Sequence, residues 1–277
     1  MRAERVRSVL YLPASNPRAI EKARTLPCDV AVLDLEDAVV PEAKAEARAA
    51  AMEAVRAGGF GARLAVRING LDTPWGANDL AALATTDLDL VIAPKVETPD
   101  AVSALSAGLR PGTHLWAMIE TPRALVSLPH IAAAGGALDG LMLGVNDLAK
   151  AMGTGACEDR EPFKPWLAML VAAARANDLL AVDGVFNRIG DEAGFAAEAA
   201  QGRLYGFDGK SLIHPSQIAP ANAAFSPSEA EVAHARAVVA AFAAPEARGR
   251  GVIRVDGAMV ERLHLTQAQA LLARAER

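Results

Sequence analysis

Eight times along the 277-residue chain, a short run rich in Val, Leu, Ile and Ala gives way to a longer stretch with helical spacing. The runs are VRSVLYLP, CDVAVLDLED, RLAVRING, LDLVIAPKVE, HLWAMIET, LDGLMLGVND, LLAVDGV and LYGFDGK. Each has the length and near-continuous apolar character of a strand buried on both faces, which is the pattern of a parallel sheet. The stretches between them, such as PEAKAEARAAAMEAVRAGG and PFKPWLAMLVAAARAND, carry the alanines and spaced apolar positions of helices that cover such a sheet. Eight such units close on themselves, so the predicted fold is α/β, a TIM (β/α)8 barrel over residues 1–222. Residues 223–277 fall outside that count. They read as a helical extension: a helix over SEAEVAHARAVVAAFAA, a turn rich in Gly and Arg, ARGRGVIRVDG, and a final helix from Ala258 onward.

Composition removes several function classes. A net charge of -5 and a pI near 5.6 give no basic field for nucleic acid. No apolar run approaches the ~18 residues needed to span a bilayer, and the first residues pass straight from charge into a strand, so a cytoplasmic, membrane-free protein is expected. The two cysteines, Cys28 and Cys157, are far apart and form no C-x-x-C pair, which predicts reduced, structural thiols.

Charged residues collect where the strands end: Glu36 and Asp37 after the second, Arg67 and Asn69 after the third, Lys95 and Glu97 after the fourth, then Glu120, Asp147, Asp183 and Lys210. In barrel enzymes the active site is built on that rim. Arg67 follows an apolar run and should face inward, where an unpaired guanidinium is costly; it needs a carboxylate or an anionic substrate. Glu120 and Asp147 each end an apolar run and open a helix, so in neighbouring parallel strands their carboxylates can converge. Two such carboxylates without a nearby histidine suit Mg2+, or Mn2+, better than zinc. The same pattern fits a plainer arrangement, with Glu120 paired to Arg123 or Lys95 and Asp147 capping its helix. Lys95 with Glu97 fits a rim salt bridge equally well, and Asp183 before Gly184 fits a turn.

Seven segments in order, RSVLYLPASN, LDLEDAV, RING, PKVE, MIETPRAL, LGVNDLA and GFDGKSLIHPSQI, resemble the HpcH/HpaI aldolase and citrate lyase beta-subunit family of magnesium-dependent carbon–carbon lyases. The resemblance spans nearly the whole chain. It implies a TIM barrel, with Mg2+ on Glu120 and Asp147 and with Glu36 and Asp37 holding waters around the metal. It favours the branch acting on CoA thioesters, because no histidine stands where the pyruvate aldolases of the family carry their base. Arg18 and Lys22, one helical turn apart, are then placed to meet CoA phosphates.

The reaction implied is cleavage of a citramalyl-CoA or malyl-CoA type substrate to acetyl-CoA and a 2-oxo acid. Mg2+ would polarise and orient the substrate, Arg67 would stabilise the enolate oxygen, and backbone amides from Gly144 through Asn146 to Asp147 would accept the substrate carboxylate. In the family's CoA lyases a tail aspartate in a segment like G-x-M-I-D reaches a neighbouring subunit; here that segment reads Gly257-Ala258-Met259-Val260-Glu261. Glu261, one methylene longer, is the expected proton-transfer residue, with Asp256 as its nearest alternative, and a homo-oligomer, trimeric or hexameric, is implied. Three other readings stay open: a malyl-CoA thioesterase, the beta subunit of a citrate lyase acting on a carrier-bound citryl group, and a catalytically weak paralogue that binds CoA or oxo acids.

Overall fold

The computed structural model describes residues 6–155, 159–244 and 249–275; Cys157 and part of the Gly- and Arg-rich turn lie outside them. The chain divides into two compact units, one through residue 225 and one from residue 226.

The first unit is the expected closed barrel. Its parallel strands are β1 (Ser8–Pro13), β2 (Val30–Asp34), β3 (Arg63–Arg67), β4 (Leu90–Ala93), β5 (His114–Ile119), β6 (Leu138–Leu143), β7 (Leu180–Asp183) and β8 (Gly209–Leu212), paired in sequence order, with β8 returning to β1. The helices around it are α1 (Pro17–Ala23), α2 (Lys44–Ala57), α3 (Gly76–Leu83), α4 (Pro99–Gly108), α5 (Pro122–Ala132), α6 (Val145–Met152), α7 (Lys164–Ala176), α8 (Glu192–Tyr205) and α9 (Ile218–Ala224). Alternation along each strand sorts its side chains. Val9, Val32, Ile92, Trp116, Met142 and Val182 fill the barrel, while Leu33, Leu35, Val66, Ile68 and Leu141 pack under the helices. Several helices begin on the chemistry their sequences advertise. Asn16, Thr98 and Thr121 each accept a backbone N–H three residues on, and each precedes a proline.

Two boundaries differ from the sequence reading. Leu204 and Tyr205 end α8 rather than opening a strand, because Gly206 at φ 96° closes that helix in a left-handed turn. Strand β8 therefore starts at Gly209, and Lys210 lies within it rather than at its end. In the second unit, α10 (Glu229–Ala243) is followed by a hairpin of β9 (Val252–Val255) and β10 (Ala258–Glu261), where a helix had been expected from Ala258. The two-residue turn Asp256-Gly257, at φ 49° and 81°, is the Asp-Gly signal of such a hairpin. The last helix, α11, runs Arg262–Ala275, and this unit has its own small core of Ala235, Val238, Val255, Val260 and Ala268.

Candidate active site

Strand parity carries Asp34 and Glu36 to the same side as Val32, so both acids face the barrel interior at its carboxyl end. Arg67 meets them from β3. Its Nε and Nη2 donate to the two oxygens of Asp34, both at 2.6 Å. Its third nitrogen, Nη1, lies 2.9 Å from Glu36 Oε2 and 3.7 Å from Asp37 Oδ2. Burial opposes the guanidinium charge, but Asp34 more than reverses this and holds the pKa well above its ordinary value. The inward arginine thus finds its carboxylate within the protein, in a residue the sequence reading passed over. Tyr11 lies beneath, its ring 4.9 Å from the guanidinium and its hydroxyl donating only to the Met118 and Met142 sulfurs, at 3.8 Å each.

Glu36 is fixed on several sides. Lys44, buried, donates to the carbonyls of Leu35 and Glu36 and to Asn69, which in turn donates to Asp79. The Lys95 ammonium binds Glu36 Oε1. Glu36 Oε2 accepts no hydrogen bond, because Arg67 approaches it off the line of an N–H. Burial raises the Glu36 pKa, and Arg67 and Lys95 oppose that shift.

Glu120 follows β5 directly, and Gly144 follows β6, in register with it. A Cβ on Gly144 would stand 2.4 Å from both Cβ and Oε2 of Glu120, so the glycine provides the space the carboxylate occupies. Glu120 Oε1 accepts the Lys95 backbone N–H at 2.8 Å, and Oε2 accepts no hydrogen bond among the described residues. Burial, and then the charge of Glu36, push its pKa up to about 7. Asp147 lies in the first turn of α6, half-buried, with no side-chain hydrogen bond or ion pair among the described residues. The helix starts one residue before Asn146, with Gly144 as its cap, and Asp147 does no capping.

The plainer ion pairs are therefore not the ones formed, and Lys95 meets Glu120 only through its backbone N–H. Arg123 reaches Glu97 at 3.5 Å instead of Glu120, and Lys95 binds Glu36 instead of Glu97. Asp183 and Lys210 leave the rim series: with Arg160 and Glu198 they form a buried ion cluster against α8. Asn146 is exposed and exchanges amide hydrogen bonds with Asn187, at 2.6 and 3.3 Å. Asp37 is exposed beside Arg67. Arg18 and Lys22 stand exposed on α1 without partners among the described residues. Glu261 ends β10 in the second unit, where its backbone N–H donates to His264 Nδ1 at 2.9 Å, while Asp256 is spent on the hairpin turn.

A hard divalent cation suits the Glu120 and Asp147 donors. One is a buried carboxylate with an unused oxygen and a pKa lifted by burial and by Glu36; the other has no side-chain partner among the described residues and lies in the first turn of α6. Among the described residues, no group of three or more His, Cys, Asp or Glu side chains forms a metal cage by itself. A cation held here would complete its shell with water and substrate oxygens, as Mg2+ does.

Residues 7–215 match the model of the HpcH/HpaI aldolase/citrate lyase family. The chain belongs to this family of enzymes. Over 271 residues it is 46% identical to a (3S)-malyl-CoA thioesterase of Cereibacter sphaeroides, covering 98% of this chain and 94% of the relative. It is 36% identical over 300 residues to an L-malyl-CoA/beta-methylmalyl-CoA lyase of the same species, with the same coverage. The crystal structure of CitE from Mycobacterium tuberculosis in complex with magnesium, acetoacetate and coenzyme A superposes over the full length of both chains, with a TM-score of 0.83 and 34% identity. These relationships correct the expectation of carbon–carbon cleavage as the main activity. The thioesterase stands ten percentage points nearer in identity than the lyase at equal coverage, so the reading given above only as an alternative is the better supported one. No helix among the described residues is long and apolar enough to cross a membrane.

Proposed function

We propose that this chain is a magnesium-dependent thioesterase acting on a malyl-CoA-type thioester. The observation that carries the reading is its 46% identity, across 98% of the chain, to a (3S)-malyl-CoA thioesterase. In this reaction water adds to the thioester carbonyl, the C–S bond breaks, and the hydroxy dicarboxylic acid and CoA thiol leave.

Glu120 and Asp147 would hold the Mg2+, which supplies Lewis acidity and orients the substrate's carboxylate and hydroxyl oxygens. Glu36 has a buried oxygen short of a hydrogen-bond donor and a pKa raised by burial, which suits it to hold the attacking water and take its proton. Arg67 is locked by Asp34, so Nη1 meets the charge growing on the thioester oxygen without reorganising. The amides at the start of α6, from Gly144 to Asp147, suit the substrate's distal carboxylate. Arg18 and Lys22, exposed and unpaired beside the rim, suit CoA phosphates. The homo-oligomer and the role of Glu261 from a neighbouring tail belong to this proposal too, on the strength of the family resemblance.

The test is direct. Purified protein with Mg2+ and (3S)-malyl-CoA should release free CoA thiol and malate in equal amounts, and EDTA should stop it. Acetyl-CoA with glyoxylate as the products would overturn the assignment.

A further inference from the structure

Lys95 sits at φ 51°, a left-handed conformation that an L side chain keeps only when its surroundings hold it there. Two contacts do so. Its backbone N–H donates to Glu120 Oε1 at 2.8 Å, and its ammonium binds Glu36 Oε1. One residue on the loop after β4 thus addresses, with backbone and side chain separately, two carboxylates that follow different strands. In each case it takes Oε1 and leaves Oε2 without a hydrogen bond. Neither its position in the PKVE segment nor its charge announces this, because the link depends on the backbone turn.

We propose that Lys95 is a positioning residue for both halves of the site. Its amide turns Glu120 so that Oε2 faces the cation, and its ammonium turns Glu36 so that Oε2 faces the attacking water. The second half rests on the thioesterase reading; the first concerns the cation alone.

Three substitutions separate the two roles. Lys95→Gly relaxes the backbone and keeps the amide, Lys95→Met keeps the side-chain stem and removes the charge, and Lys95→Val places a β-branched residue where the turn excludes it. Mg2+ affinity is read by isothermal titration calorimetry, turnover by CoA release, and folding by the melting temperature. Lys95→Val should weaken Mg2+ binding about tenfold, while Lys95→Gly and Lys95→Met bind it at least as tightly as the parent. Both of these should lose about 10- to 100-fold in kcat with KM little changed. Equal Mg2+ affinity in the Val and Gly variants overturns the amide role, as does a tenfold loss in Lys95→Gly, which decides the matter even if Lys95→Val folds poorly. Parental kcat in Lys95→Met overturns the ammonium role. If the parent protein releases no CoA from malyl-CoA, the thioesterase reading fails, yet the Mg2+ comparison still judges the amide.

Discussion

Two of the buried charge clusters in this barrel are treated by the fold in opposite ways. Against α8, Asp183 accepts from Arg160 at 2.7 Å, from the Gly184 amide at 2.8 Å and from Lys210 at 3.1 Å. Lys210, fully buried, also donates to Gly184 O and Glu198, and Arg160 gives its remaining donors to Gln201 and the Glu198 carbonyl. Burial opposes the Asp183 charge, but Lys210 and Arg160 outweigh it and its pKa falls. At the barrel mouth, Glu36 and Glu120 each keep an oxygen without a hydrogen bond, and the pKa of each rises. Spare acceptor capacity in a buried carboxylate costs stability and persists where something else is to be bound. The first cluster is therefore a fastener for the fold, and the second is a site. The two share one device. Glu120 rests where Gly144 leaves room, and Asp183 rests where Gly202 does.

Lys210→Met should break the fastener. It leaves Asp183 with Arg160 alone and Glu198 with only the longer Arg160 contact at 3.8 Å, and breaking a buried ion pair in this way costs about 3–5 kcal/mol. Denaturant unfolding should show that loss, while the Mg2+ affinity of the folded fraction stays at the parental value. A variant as stable as the parent would end the contrast between the clusters.

Glu120→Gln should do the reverse. Mg2+ binding should disappear from calorimetric titrations, and CoA release should fall on the order of a hundredfold or more. The melting temperature without metal should hold or rise, because a buried charge facing Glu36 has gone. Marked destabilisation would mean that Glu120 is part of the scaffold.

A matched pair of glycine substitutions sharpens the comparison at smaller cost. In Gly144→Ala the new Cβ lies 2.4 Å from Glu120 Oε2, and in Gly202→Ala it lies 2.6 Å from Asp183 Oδ2. Overpacking of this kind costs about 1–3 kcal/mol. At Gly144 the displaced group is the carboxylate itself, so weaker Mg2+ binding should accompany a modest fall in melting temperature. At Gly202 only the melting temperature should move.

Much of this architecture is legible in the sequence. Short, near-continuous apolar runs point to the barrel, because a strand buried on both faces has few ways to look otherwise, and the acids after β5 and β6 fall on neighbouring strand ends. Each departure has its own local cause. Leu204 and Tyr205 look like the start of a strand that would end at Lys210, whereas Gly206 makes them the end of a helix. Asp34 is less conspicuous than the Glu36-Asp37 pair, although alternation from Val32 turns it inward. The Asp-Gly step at 256–257 signalled a hairpin that the helical reading of Ala258 onward ignored. Lys95 was beyond reach, since neither its φ angle nor the amide contact it creates is written in a local pattern.

Acidity should tune the same contrast. The pKa of Glu120 is pushed up from an ordinary 4.5 to about 7 by burial and by Glu36, so below neutrality the metal-free protein carries a proton there that Mg2+ must displace. Apparent Mg2+ affinity should then fall close to tenfold for each pH unit below about 7 and level off above it. The same shift has a consequence for folding, with its sign set by proton uptake. A carboxyl with a higher pKa folded than unfolded stabilises the protonated fold, and that contribution fades as pH rises through about 7. Stability of the metal-free parent relative to Glu120→Gln should therefore decline between pH 5 and pH 8, on the order of 1 kcal/mol per pH unit through the titration range, and added Mg2+ should reverse the trend. A flat difference across that interval would place Glu120 among the fully compensated charges and erase the distinction between the mouth of the barrel and the cluster behind it.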